Sequence, residues 1–138
     1  MKTRLIEQSW NDVAGSHREL IGAFYDRLFQ DYPQYEPLFD RERMQGQMDR
    51  MAQTVALVSQ LADNEAAIRP HLERIGRAHA PLDLDEDDLR NFFRTFVAVV
   101  GEYCDVHSDI WSRECEQAWH AAFEQIVVPH MLRGMQAS

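Results

Sequence analysis

The sequence has little of what marks several common protein classes. Its 138 residues include only two cysteines, Cys104 and Cys115, and they form no CxxC pair. Two such residues fit small buried thiols in the reducing cytoplasm better than a disulfide or a zinc site, which needs more ligands. Positive charge is also scarce, because 14 Lys and Arg stand against 23 Asp and Glu, giving a net charge of −9. That balance argues against nucleic acid and anionic membrane surfaces as partners.

Long apolar stretches are missing from the sequence too. None approaches the roughly 20 residues that span a bilayer, and the first residues, MKTRLIEQSW, lack the apolar centre and cleavage site of a signal peptide. We therefore expect a cytoplasmic protein. The chain shows no internal repeat or linker, and its hydrophobic content of 45% can build one core. We expect a single domain over residues 1–138.

What the sequence does contain is apolar residues at helical spacing. The one strand-like run, TVALV at 54–58, continues a helical pattern. Ser16, Asn64 and Asp85 are suitable N-caps, while Pro33 and Pro37 restrict residues 32–40 to short turns. We expect Pro129 to kink or shorten the last helix. The pattern predicts an all-α fold with helices over 3–14, 17–30, 41–62, from Asn64 to His79, from Asp85 to about 105 and over 109–133.

One of these helices ends its apolar face with a histidine. In IRPHLERIGRAHAPLDL, at 68–84, Ile68, Leu72, Ile75 and His79 follow one another at steps of four, three and four. Such a histidine is either a core residue bonded to a carbonyl or a metal ligand. A bare ion would lack further ligands here, and the Glu-x-x-His pairs of a di-iron bundle are missing. A porphyrin brings four nitrogens and needs one protein ligand.

Several motifs together point to a known family. They are FYDRLF at 24–29, YPQYEPLF at 32–39, MQGQMDRMAQTVALV at 44–58, IGRAHA at 75–80 and EQAWHAAF at 116–123. In this order and spacing the chain resembles the globins, and among them the single-domain bacterial globins similar to flavohaemoglobin haem domains. The resemblance implies a globin fold around a haem b pocket, with His79 as the iron ligand. The Ile75 carbonyl, four residues earlier, would then fix the tautomer of the imidazole.

The resemblance also assigns the residues on the ligand side of the haem. Tyr25 and Gln47 match a tyrosine and a glutamine that donate hydrogen bonds to bound O₂. Met51 matches the apolar residue over the iron, with Met48 beside it, and either thioether remains an alternative iron ligand. Each of these residues has a simpler interpretation, as a core tyrosine, a solvated glutamine or space-filling methionines.

The remaining pocket residues follow from the same resemblance. Phe39 matches the phenylalanine that stacks on the porphyrin, although it could be only a core aromatic. Arg50 matches a basic residue that meets a haem propionate, although it could be solvated. The proximal wall is expected from Leu82, Leu84, Leu89 and Phe93.

The chain departs from the flavohaemoglobin pattern at two positions. Leu89 stands where a tyrosine would bond to the proximal histidine, and no Glu follows Glu124 to supply the matching carboxylate. We therefore expect weaker electron donation to the iron than in NO-detoxifying enzymes. In 138 residues we also expect no reductase domain, so NO dioxygenation would be a side activity that needs an external reductase.

The function that these observations favour is reversible binding of O₂, with NO and CO as further gas ligands, by a monomer or homodimer. Two alternatives stay open. The chain could be a gas-sensing or haem-free regulatory globin that acts through a protein partner, or a structural helical module with a core histidine.

Overall fold

The computed structural model describes residues 3–137, and all regular structure in that range is helical. The seven α-helices are α1 Thr3–Asp12, α2 His17–Asp31, α3 Met44–Leu61, α4 Glu65–His79, α5 Glu86–His107, α6 Arg113–Ala122 and α7 Val128–Gln136. The predicted all-α class is confirmed. None of the helices within residues 3–137 combines the length and the apolarity that a membrane crossing requires.

Short turns of tighter helix join several of these elements. They lie at Ala14–Ser16, Pro33–Leu38, Arg41–Arg43 and Ala80–Leu82. The predicted helix over 41–62 therefore begins with a 3-10 turn, which Asp40 caps by accepting a hydrogen bond from the Glu42 N–H. After Ala80–Leu82 the chain turns at Asp83, whose φ of 55° is left-handed.

The capping predictions hold at two of three positions. Asn64 accepts a hydrogen bond from the Ala67 N–H, and Asp85 forms a reciprocal capping box with Asp88. Ser16 precedes α2 as predicted, but its side chain makes no capping hydrogen bond. The reason is local, since the Ala14–Ser16 turn already connects α1 to α2 and the Ser16 N–H bonds to the Val13 carbonyl.

The predicted helix over 109–133 is in fact three segments. Ser112 caps α6, a π-helical turn spans Phe123–Val127, and α7 follows. Pro129 explains the break, because it has no N–H for the carbonyl four residues earlier and its ring crowds that carbonyl. The expected shortening is wrong, because α7 contains Pro129 as its second residue and continues to Gln136. The irregularity at this proline is the π-helical turn before it.

The core is one apolar cluster to which every α-helix contributes. α4 packs along α7, α2 packs on α5 and α3, and α1 packs on α6. A buried polar link ties α1 to α6, since the Trp119 indole N–H donates to the Ser9 hydroxyl at 2.9 Å. Cys104 and Cys115 are both buried, as expected, and burial raises the pKa of the Cys104 thiol to about 12.

Candidate functional site

A cavity of about 370 Å³ lies between α3, α4 and the beginning of α5. This volume falls within the roughly 300–1,000 Å³ typical of cofactor and ligand pockets. Its walls are mostly aliphatic and aromatic. They include all ten residues that the resemblance assigned to a haem pocket, which are Phe39, Gln47, Arg50, Met51, Ile75, His79, Leu82, Leu84, Leu89 and Phe93. Their individual roles stay predictions.

His79 is the only imidazole in the wall of this cavity. It occupies the last position of α4, and the 3-10 turn that contains Pro81 follows at once. The ring Nδ1 lies 2.7 Å from the Ile75 carbonyl oxygen. Because a carbonyl can only accept, Nδ1 carries a proton, which leaves Nε2 as the nitrogen that can bind a metal. Nε2 makes no hydrogen bond with any residue in 3–137.

The helix that carries His79 is held by an unusually close contact with α7. Gly76, three residues before His79, lies against the Met131 backbone, and a Cβ there would come within 2.9 Å of the Met131 carbonyl carbon. Gly134 makes the reciprocal contact with Glu73, where a Cβ would lie 2.7 Å from the carbonyl carbon. Two glycines thus let the backbones touch, as small residues do at close helix crossings. This contact positions the C-terminal half of α4.

Polar groups meet on the α3 side of the cavity. The Gln47 amide nitrogen donates to the Tyr25 hydroxyl oxygen at 3.3 Å, and an Arg50 guanidinium N–H donates to the Gln47 carbonyl oxygen at 3.0 Å. Tyr25 is 2% exposed on α2 and does not itself line the cavity, but it contacts Gln47 and Phe39, which do. Burial raises the pKa of Tyr25 to about 12, although the Gln47 hydrogen bond and the Arg50 charge act to lower it. Tyr25 is therefore protonated at neutral pH and can donate.

The two methionines of α3 occupy different places. Met51 is buried and lines the cavity. Met48 is half-buried, and its Cε would lie 3.5 Å from a Cβ on Gly22, so it packs at the crossing of α3 with α2. Of the two thioethers, only that of Met51 lies in the wall. The Phe39 ring, also in the wall, packs edge-on against Tyr25 with ring centroids 5.4 Å apart.

A second polar cluster in the wall was not predicted. The Tyr35 hydroxyl donates to Asp88 Oδ1 at 2.7 Å, and the Asn91 amide donates to the Tyr35 oxygen at 3.3 Å. The contact ties the Pro33–Leu38 turn to the first turn of α5 and closes one side of the cavity. Burial acts to raise the pKa of Asp88, but hydrogen bonds from the Asp85 backbone and from Tyr35 lower it overall.

Asp88 was not predicted from the sequence, and Tyr35 stood only within the motif at 32–39. Six other residues of the wall were also not predicted, which are Leu38, Thr54, Ala78, Pro81, Phe92 and Met131. Phe92 could have been found from its place beside Phe93. Met131 could not, because it reaches the cavity only through the contact of α7 with α4.

The helical fold and the apolar cavity with one histidine define the class of protein. A family model described as Globin matches residues 22–129, and the chain belongs to the globin family. The predicted resemblance is thereby confirmed. Membership of this family implies a haem protein that binds a diatomic gas.

Two known proteins are similar to this chain. A flavohemoprotein of Bacillus subtilis (strain 168) is 29% identical in an alignment of 130 residues that covers 88% of this chain and 31% of that protein. The chain thus spans about a third of the length of this relative. The structure of a bacterial globin from Campylobacter jejuni superposes with a TM-score of 0.83 over 98% of this chain and 95% of that chain, at 16% identity. That likeness supports the fold.

The donor set around the cavity fits a haem. A porphyrin needs one ligand from the protein, and His79 offers an imidazole nitrogen that no hydrogen bond within residues 3–137 occupies. Apolar and aromatic walls suit the macrocycle, and the Arg50 side chain lies in the same wall. No three His, Cys, Asp or Glu side chains in the described part of the chain lie together as ligands for a bare ion.

Proposed function

We propose that this chain binds haem b through His79 and binds O₂ reversibly, with NO and CO as further ligands. The observation that carries the proposal is the 2.7 Å contact between His79 Nδ1 and the Ile75 carbonyl, in the wall of the apolar cavity. It orients the ring and leaves Nε2 as the ligating nitrogen. When bound, haem supplies the iron at which a diatomic gas is taken up.

Tyr25 and Gln47 are proposed to stabilise a gas ligand that accepts hydrogen bonds. Both are uncharged donors beside an apolar cavity, where such bonds contribute about 1–2 kcal/mol each. That free energy corresponds to roughly a 5- to 30-fold slower release per donor. Met51 fills the space next to them, and Phe39 packs against the Tyr25 ring. Tight O₂ binding with slow release is the expected result.

The surroundings of His79 favour reversible binding over rapid turnover of NO. Its Nδ1 proton goes to a neutral backbone carbonyl, and within residues 3–137 no tyrosine or carboxylate bonds to the ring. An imidazole held by a carbonyl donates less electron density than one that shares its proton with a carboxylate. Scavenging of NO therefore remains a secondary role that depends on an external reductase.

Haem reconstitution of three proteins tests the ligand assignment. We expect the wild type to take up haemin and to give a ferrous–oxy spectrum after reduction in air. His79→Gly should lose this spectrum, and added imidazole should restore it by filling the cavity left in α4. His71→Gly is the matched control, since His71 lies on α4 outside the cavity and bonds to Arg74. A His79→Gly protein with the wild-type spectrum in the absence of imidazole would overturn the assignment.

The gas-side residues are tested by stopped-flow measurement of O₂ dissociation. Tyr25→Phe and Gln47→Leu should each accelerate release, by about 5- to 30-fold. Their effect on CO dissociation should be much smaller, because CO is a poor hydrogen-bond acceptor. Unchanged O₂ release in both variants would contradict the proposed hydrogen bonds to O₂. It would not affect the assignment of the haem site.

A further inference from the structure

Three side chains form a directed chain of hydrogen bonds beside the cavity. Arg50 Nη2 donates to Gln47 Oε1 at 3.0 Å, and Gln47 Nε2 donates to the Tyr25 hydroxyl oxygen at 3.3 Å. Arg50 follows Gln47 by one turn on α3, and both residues line the cavity. These hydrogen bonds therefore link an exposed guanidinium to a phenol that is 2% exposed.

The Arg50 side chain lies close to the backbone of α3. A Cβ on Gly46 would lie 3.5 Å from Arg50 Nη1, so the guanidinium folds back along α3 above Gly46 and reaches Gln47. In this conformation the Arg50 hydrogen bond within residues 3–137 goes to Gln47. The resemblance had assigned Arg50 a different task, which was contact with a haem propionate.

The chemistry of arginine fixes the direction of both hydrogen bonds. A guanidinium has donors and no acceptor, so the Gln47 carbonyl oxygen must face Arg50 and the amide NH₂ must face Tyr25. A glutamine released from Arg50 can turn its amide by 180°, since the two ends are nearly equal in size. The carbonyl oxygen would then face the phenol and accept its proton.

The direction of these hydrogen bonds decides where the Tyr25 proton points. A phenol has a single O–H, so it cannot donate to Gln47 and to a ligand in the cavity at the same time. With Gln47 as the donor, the Tyr25 oxygen accepts and its proton stays available. Within residues 3–137 the Tyr25 hydroxyl has no other hydrogen-bond partner.

We infer that Arg50 is a positioning residue that fixes the amide of Gln47 and thereby keeps Tyr25 as a hydrogen-bond donor, so that the site favours O₂ over CO. The inference rests on the proposed function and adds a determinant of ligand specificity to it. It follows from the contact geometry of the three side chains and from the lack of an acceptor on a guanidinium.

A double-mutant cycle on O₂ release tests this role. Arg50→Ala should speed O₂ dissociation by about 3- to 10-fold in the wild-type background, with little change in CO dissociation. In the Gln47→Leu background the same substitution should have no further effect, because no amide remains to be oriented. An equal acceleration in both backgrounds would show that Arg50 acts without Gln47, and would overturn the inference.

Conservative variants of Arg50 test whether the direction of its hydrogen bond matters, as distinct from its charge and its size. Arg50→Gln keeps a polar side chain that can accept as well as donate, so we expect it to release O₂ as fast as Arg50→Ala. Arg50→Lys keeps a donor-only group and should recover part of the wild-type rate. Arg43→Ala is the charge control, since Arg43 lies outside the cavity, 85% exposed and paired with Asp40. Wild-type release by Arg50→Gln would contradict the inference.

Spectroscopy of the CO complex supplies a readout that does not depend on rates. The infrared stretch of CO reports hydrogen-bond donation, so Arg50→Ala should shift it toward the value of Tyr25→Phe, and Arg43→Ala should not. The Gln47 side-chain amide signals in ¹⁵N NMR should also move in Arg50→Ala. If both spectra match the wild type, this inference is overturned and the proposed function still stands. A wild-type protein that takes up no haem would instead overturn the proposed function and this inference together.

Discussion

The contact between α4 and α7 makes a quantitative prediction about Gly76. In Gly76→Ala the new methyl group would overlap the Met131 carbonyl oxygen and lie 2.9 Å from its carbon, so two backbones must move apart. Overpacking of this kind costs typically about 1–3 kcal/mol. We expect a cost near the upper end of this range, because the atoms in the way belong to the backbone. The better helix propensity of alanine returns about 1 kcal/mol. We therefore expect a net loss of about 2 kcal/mol in the free energy of unfolding.

Urea denaturation of the apoprotein measures this loss. For a chain of this size about 2 kcal/mol corresponds to a fall in Tm of roughly 5–10 °C. Gly15→Ala is the matched control, because nothing lies within 4 Å of a Cβ at that position, and its stability should be unchanged or slightly higher. If Gly76→Ala unfolds at the same urea concentration as Gly15→Ala, the close approach of α4 and α7 is not a feature of the protein in solution.

Two further predictions concern buried and half-buried polar contacts. The pKa of Asp88 is lowered in the folded state, because hydrogen bonds from the Asp85 backbone and from Tyr35 outweigh the effect of burial. The ionised Asp88 carboxylate therefore stabilises the fold above the unfolded pKa, and this stabilisation is lost as the pH falls below about 4. Urea midpoints of the wild type should therefore fall more steeply on acidification than those of Asp88→Asn. Ser9→Ala should cost about 1–3 kcal/mol in thermal unfolding, because it leaves the buried Trp119 N–H without its acceptor.

Each of these predictions has a control within the chain. Asp87→Asn removes an acidic residue next to Asp88 for which no capping contact is present, so its acid unfolding should follow the wild type. Parallel acid profiles of Asp88→Asn and the wild type would refute the Asp88 argument. Ser59→Ala removes a buried hydroxyl that donates only to the Ala56 carbonyl, so no donor loses its acceptor. Equal losses at Ser9 and Ser59 would refute the Trp119 argument.

The sequence by itself determined the helices and most of the pocket residues. Helical periodicity and N-caps are local, so residues a few positions apart sufficed to predict α4 from Asn64 to His79 and the cap of α5 at Asp85. The interruption by Pro129 was predictable for the same reason, although the π-helical turn before it was not. The resemblance to the globins brought distant positions such as Phe39 and Leu89 into one site, and both lie in the cavity wall.

Only the tertiary structure decided which distant groups meet and in which direction they bond. The approach of Gly76 to Met131 depends on the path of α7, and the Tyr35–Asp88 contact joins residues 53 positions apart. Arg50 was predicted in the pocket, but its bond to Gln47 depends on a side-chain conformation that no sequence spacing specifies. Such contacts are set by the packing of whole helices against one another, and hydrophobic periodicity describes one helix at a time.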